Sequence, residues 1–158
     1  PAYLRLGRPA VETVTDEIPG YSFALGKGCT LRGGSDATVI ATGMMVQMAL
    51  KAAEQLQTEG ISLRVIDMPT IKPLDEALVL QAAQETGVVV TSEEHSVIGG
   101  LGAAVAEYLS ENYPVPVIRH GVEDCFGRSG TAAAVLAHYG LTPEVLCQKV
   151  KLALSKKR

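Results

Sequence analysis

The stretch Val88–Glu107, VVVTSEEHSVIGGLGAAVAE, decides the fold. An apolar run that continues from Gly87 passes into acidic residues and a glycine turn, and then into an amphipathic stripe. Leu101, Ala104, Val105, Tyr108 and Leu109 recur at helical spacing. Strand, glycine turn and helix in that order raise the question of whether the turn cradles a phosphate.

The glycines answer against a nucleotide. A dinucleotide fingerprint needs G-x-G-x-x-G/A in the first βα turn of its unit. Gly100 and Gly102 are followed by Val105 where the third small residue belongs, and a frame starting at Gly99 fits no better. No acidic residue ends the next strand to hold a ribose, and the chain has no Gly-Lys-Ser/Thr for a P-loop. The glycines instead suit a chain reversal and close packing of helix on sheet. The preceding Glu93-Glu94-His95-Ser96 sit at the carboxyl end of a parallel strand, where open α/β sheets meet ligands or partner domains. His95 is therefore a candidate pocket residue, weighed against a structural or surface role.

The same alternation extends in both directions. Ala37–Thr42 is a strand candidate, followed by a helical stripe of Met45, Met48, Ala49, Ala52 and Leu56 that Gly60 closes. Leu63–Asp67 is the next strand, and Asp75 caps a helix ending at Gly87. Val115–Arg119 is a shorter strand, its Pro116 suited to a start or an edge. Thr131 opens a short helix stopped by Gly140. Thr142 with Pro143 opens the last helix, with Leu146, Val150 and Leu154 inward. Ser22–Leu31 reads as a further strand, and the tight Arg32–Asp36 link predicts that it pairs antiparallel with the next. The expected architecture is an α/β three-layer sandwich around a mostly parallel sheet of about five strands with one antiparallel edge strand.

With 158 residues, 47% hydrophobic and 20% charged, the chain can bury one core. A net charge of −3 gives no footprint for nucleic acid, and the basic Lys156-Lys157-Arg158 reads as a solvated helix end. Cys29, Cys125 and Cys147 form neither a metal-ligand spacing nor an even disulfide set, which points to a reducing, cytoplasmic setting. No apolar run is long enough to span a membrane. His120 and His138 read as solvated or structurally bonded. "ATGMM" and "GRSGT" are small-residue turns without a nucleophile context. Pro1–Gly7 reads as the end of a strand, so the chain is expected to belong to something longer.

Four motifs in order carry a resemblance: D-x-T-x-I-A-T-G from Asp36, I-D-M-x-T-I-K-P-L-D from Ile66, E-E-H-S-x-x-G-G-L-G from Glu93, and F-G-x-S-G from Phe126. Together they resemble the C-terminal domain of transketolase-type thiamine diphosphate enzymes over essentially the whole chain. The pattern is nearest to the C-terminal subunit of split, two-subunit transketolases. The resemblance implies transfer of a two-carbon ketol unit between sugar phosphates. It also implies thiamine diphosphate and Mg2+ held by domains absent from this chain, since no Gly-Asp-Gly occurs here. It makes residues 1–34 the end of a pyrimidine-binding domain plus linker and edge strand, and 35–158 the C-terminal domain.

By the same resemblance, Glu93, Glu94, Gly99 and Gly100 make domain or dimer contacts, and Arg8 takes the position of an arginine that grips the sugar phosphate. A solvated linker arginine is the competing reading of Arg8. The implied partners are the diphosphate- and pyrimidine-binding domains or subunit, in a homodimer or heterotetramer. The isolated chain is expected to be inactive and to bind neither thiamine diphosphate nor NAD(P). Two alternatives stay open: a free-standing α/β interaction or regulatory module, and the same domain of a deoxyxylulose-phosphate synthase or of a 2-oxo acid dehydrogenase beta subunit.

Overall fold

The computed structural model describes residues 1–157 apart from positions 9 and 17. Arg158, part of the basic tail, lies outside the described residues. The elements are β1 Cys29–Arg32, β2 Ala37–Ala41, α1 Met45–Thr58, β3 Leu63–Asp67, α2 Glu76–Thr86, β4 Val89–Ser96, α3 Leu101–Asn112, β5 Val117–Val122, α4 Ala132–His138 and α5 Pro143–Leu154. One sheet holds all five strands in the order β1-β3-β2-β4-β5. The pairs β2–β3, β2–β4 and β4–β5 are parallel, and β1–β3 is antiparallel. The expected mostly parallel sheet with one antiparallel edge strand is what forms.

Alternation along the central strands explains the three layers. Ala37, Val39 and Ala41 of β2 and Val90 of β4 belong to a core shared with α1 and α5. Ile40 and Val89 turn the other way, into a second core with Val79 of α2 and Leu101, Val105 and Leu109 of α3. β2 is buried along its whole length, as a strand covered on both faces must be. The helix ends follow local chemistry. Asp75, Thr131 and Thr142 each accept a backbone N–H from the first turn of α2, α4 and α5, and Gly87 ends α2 in the left-handed region at φ 68°.

Three expectations are corrected. The first strand is only Cys29–Arg32, and it pairs with β3 rather than with β2. β3 returns through α1 into the slot between them, and a tight link does not fix which strand fills that slot. Pro1–Gly7 form no strand; strand backbone needs a neighbour, and among the described residues none pairs with this segment. Third, the basic tail is not merely solvated. Lys157 Nζ donates to the Asp36 carbonyl at 3.0 Å, and its stem lies over Gly87. No helix among the described residues is long and apolar enough to cross a membrane.

Candidate functional site

β2 and β4 are neighbours whose following helices, α1 and α3, depart to opposite faces of the sheet. This is the switch point, where a doubly wound sheet opens a crevice beyond its strand ends. The two strand ends are joined there by the Thr42 N–H, which donates to the Ser92 carbonyl at 3.1 Å. Gly43 turns the chain into α1 at φ 60°, a conformation that favours glycine.

β4 runs further than its apolar residues suggest. It continues through Glu93, Glu94 and His95 to Ser96, with a register irregularity against β5 between Ser92 and Ser96. Burial, rather than strand alternation, divides the three polar residues. Glu93 points inward and is 1% exposed, while Glu94 and His95 are exposed.

The buried carboxylate of Glu93 caps α3. Its Oε2 accepts the Leu101 N–H at 2.8 Å and its Oε1 accepts the Gly102 N–H at 2.7 Å. Gly100, at the N-cap, supplies no side chain of its own, and a Cβ there would collide with the Glu93 carboxylate. A Cβ at Gly102 would meet Thr91 Oγ1 at 2.7 Å and the Arg119 stem at 2.9 Å. Gly99 takes φ 73° in the reversal. Helix N-termini attract anions through their free N–H groups and their dipole. Here the chain's own carboxylate takes the place a phosphate would need.

The structure thus brings Glu93, Glu94, His95, Gly99 and Gly100 into one turn. His95 Nδ1 lies 2.8 Å from the Ser96 carbonyl, which can only accept, so Nδ1 carries the proton; Glu93 Oε2 is 3.9 Å away. Arg8 is exposed at a bend and is not brought into this turn. Arg5 reaches it instead, its Nη2 donating to the Glu94 carbonyl at 2.7 Å.

Two features go beyond the sequence reading, which takes His120 as solvated or structurally bonded. Ser92 Oγ lies 3.0 Å from His120 Nδ1, and His120 Nε2 lies 2.8 Å from the Gly140 carbonyl. That carbonyl fixes the proton on Nε2, so Ser92 donates to Nδ1. A hydroxyl beside an imidazole base is the arrangement of an activated nucleophile. Ser92 and His120 are 0% and 2% exposed, however, so the pair ties β4, β5 and the α4–α5 turn together.

The second feature is Asp67, at the carboxyl end of β3 opposite Cys29 of β1. Burial pushes its carboxyl up to about 6. Burial, with the Asp67 charge next, also raises Tyr21 and Cys29. An open groove of ≈ 520 Å³ runs along the β5 edge between Val97, Arg119, Lys149 and Leu152, and contains none of the predicted site residues.

The chain is thus a doubly wound α/β domain in which a carboxylate of its own takes the N-terminus of α3. The chain matches the family model "Transketolase, C-terminal domain" over residues 26–146, and it belongs to that family. It is 51% identical over 145 residues to the 6-deoxy-6-sulfo-D-fructose transketolase subunit SqwH of Clostridium sp. (strain MSTE9), covering 90% of this chain and 44% of that protein. It is 47% identical over 157 residues to a subunit of the apulose-4-phosphate transketolase of Phocaeicola vulgatus, covering 99% of this chain and 49% of that one. A solved structure described as a split gene transketolase, inactive beta4 tetramer, superposes with a TM-score of 0.91 at 50% identity, covering 96% of this chain and 49% of that chain. The chain spans about half the length of the curated relatives it matches. The expected family and fold both stand.

Proposed function

We propose that this chain is the C-terminal part of a split transketolase, a cytoplasmic enzyme that moves a two-carbon ketol unit between sugars. Residues 1–34 are the end of its pyrimidine-binding domain plus a linker and the edge strand β1, and residues 35–158 form the C-terminal domain that supports assembly, as a homodimer or heterotetramer. Thiamine diphosphate with Mg2+ supplies the carbanion chemistry in such an enzyme. The residues here do not fit that cofactor. Gly-Asp-Gly does not occur, and among the described residues no three His, Cys, Asp or Glu side chains converge to hold a metal.

The observation that carries the reading is Glu93 seated on the N-terminus of α3. It spends the anion site of this turn on internal structure and leaves Glu94 and His95 outward for a neighbouring domain. The relatives' names mention a sulfo-sugar and a sugar phosphate. Both end in an anion, which supports a ketose with an anionic terminus as substrate and Arg8 as its grip. His95 is the second candidate substrate contact from this chain.

The test mixes the chain with the thiamine-binding half of the enzyme, comprising its diphosphate- and pyrimidine-binding domains, and follows ketol transfer from a ketose phosphate. Activity is expected only in the mixture with thiamine diphosphate and Mg2+. Transfer by the chain alone, or calorimetric binding of thiamine diphosphate to it at about micromolar Kd, overturns the reading.

A further inference from the structure

Beyond Val122, at the end of β5, residues 123–134 are exposed without a break. They contain Phe126, whose side chain is 98% exposed, and they run into α4. α4, with the sequence AAAVLAH, buries none of its residues. Its inner side is half-buried, with Leu136 packed against the core, and Ala132, Ala133, Ala134 and Ala137 are left as an exposed apolar outer face.

The loop is nevertheless held in shape. Asp124 takes φ 34°, in the region that favours glycine, and its N–H donates to the Val122 carbonyl at 3.2 Å. Tyr139 OH donates to the Phe126 carbonyl at 2.6 Å. A strained backbone persists where its surroundings fix it, and such strain gathers at functional segments. Here it holds a phenyl ring out into water.

Other apolar groups share that end of the sheet. Ile98, 59% exposed, follows β4 as Phe126 follows β5, and the two strands are parallel neighbours. Arg5, bonded to the Glu94 carbonyl, brings Tyr3, Leu4 and Leu6 to the same end, at 90%, 78% and 79% exposure.

We propose that Phe126, Ile98 and the outer face of α4 form the docking face for the pyrimidine-binding domain of the same enzyme, which offers an apolar socket to Phe126. Residues 1–7 already lie at this end, and the relatives carry about as much chain again as this one covers. The same end presented to a second copy would have to clear those residues first. The proposal rests on the split-transketolase reading above.

Cys125 beside Phe126 is exposed, Cys29 is half-buried and Cys147 is buried, so thiol labelling reports the face with an internal reference. N-ethylmaleimide labelling, read by peptide mass spectrometry, is compared between the chain alone and the chain assembled with the thiamine-binding half. Cys125 labelling is expected to slow by about tenfold or more on assembly, and Cys29 labelling by less than about twofold. Phe126→Ser should abolish the Cys125 protection and leave the melting temperature of the chain alone unchanged.

Co-elution of the two halves with unchanged Cys125 labelling overturns the docking face and leaves the functional reading standing. Protection that appears in the chain alone and grows with its concentration assigns the face to a second copy, and also overturns the proposal. Failure of the halves to co-elute overturns the functional reading and this inference with it. A lowered melting temperature for Phe126→Ser overturns the assignment of Phe126 as a contact residue.

Discussion

Glu93 Oε1 and Oε2 accept the first two N–H groups of α3, and the Cα of Gly100 lies where a methyl would strike that carboxylate. The two residues act as one device. A strand residue caps a helix it does not belong to, and a missing side chain makes the room.

Glu93→Ala leaves two buried N–H donors unpaired, and each charge-assisted bond is worth about 1.5–3 kcal/mol. Chemical unfolding should show a loss of about 3 kcal/mol or more. Gly100→Ala should cost about 1–3 kcal/mol through overpacking. The double variant should cost less than the two losses added, because removing the carboxylate removes the collision. A double-mutant cycle checks this, and strict additivity would show that the two residues are not coupled.

Burial holds the His120 imidazole below its ordinary value. The Gly140 carbonyl and Glu123 oppose that shift, and Lys149 adds to it. With a lowered folded value the unfolded chain binds more protons, so stability falls as pH drops below about 6.5. Urea midpoints should decline from pH 7 toward pH 5, and His120→Asn should flatten that part of the profile while lowering the whole curve. An unchanged slope in the variant would place the acid sensitivity elsewhere.

Asp67 acts with the opposite sign. Its carboxyl is raised from 3.8 to about 6 by burial, so the folded chain binds the extra proton between those values. Its burial therefore costs little below pH 4, and the cost grows as pH rises through about 6. Asp67→Asn should stabilise the chain at pH 8 by on the order of 2–3 kcal/mol and change it little at pH 4. Thermal melts at the two pH values decide. A variant that loses stability at pH 8 would mean that the charge is held by a partner.

The fold was legible wherever a local signal fixes a backbone state. The caps at Asp75, Thr131 and Thr142 and the left-handed Gly87 lie where their side chains, or the lack of one, require. Pro116 stands just before β5, and β5 is an edge strand. What escaped depends on residues far apart in sequence. β4 continues through Glu93–Ser96 although those residues are polar, and Ser96 has Val122 as its ladder partner. Antiparallel β1 took β3 as neighbour for a reason of chain order in space. Glu93 was visible as a residue of interest, but its role needed the chain reversal that puts α3 over it. Ser92 and His120 carry no motif; the β4–β5 register alone makes them opposite.

Arg8 is exposed and lies three residues from Arg5, which is already engaged at the Glu94 carbonyl. That leaves Arg8 the more available guanidinium of the two for a substrate anion. In the assembled enzyme, Arg8→Ala should weaken apparent affinity for a phosphorylated ketose by about one to two decades, the range for a charge-assisted contact. On the proposed reading, affinity for thiamine diphosphate should not move. Arg8→Lys should recover part of the loss, since an ammonium keeps the charge without the planar fork. A contact made equally in ground and transition states raises KM and spares kcat. Arg5→Ala provides the contrast: it should loosen the N-terminal segment from β4 without discriminating between donors. The decisive comparison sets phosphorylated against unphosphorylated ketose donors on wild type and Arg8→Ala. An equal loss on both would mean that Arg8 does not read the phosphate and is a solvated linker residue.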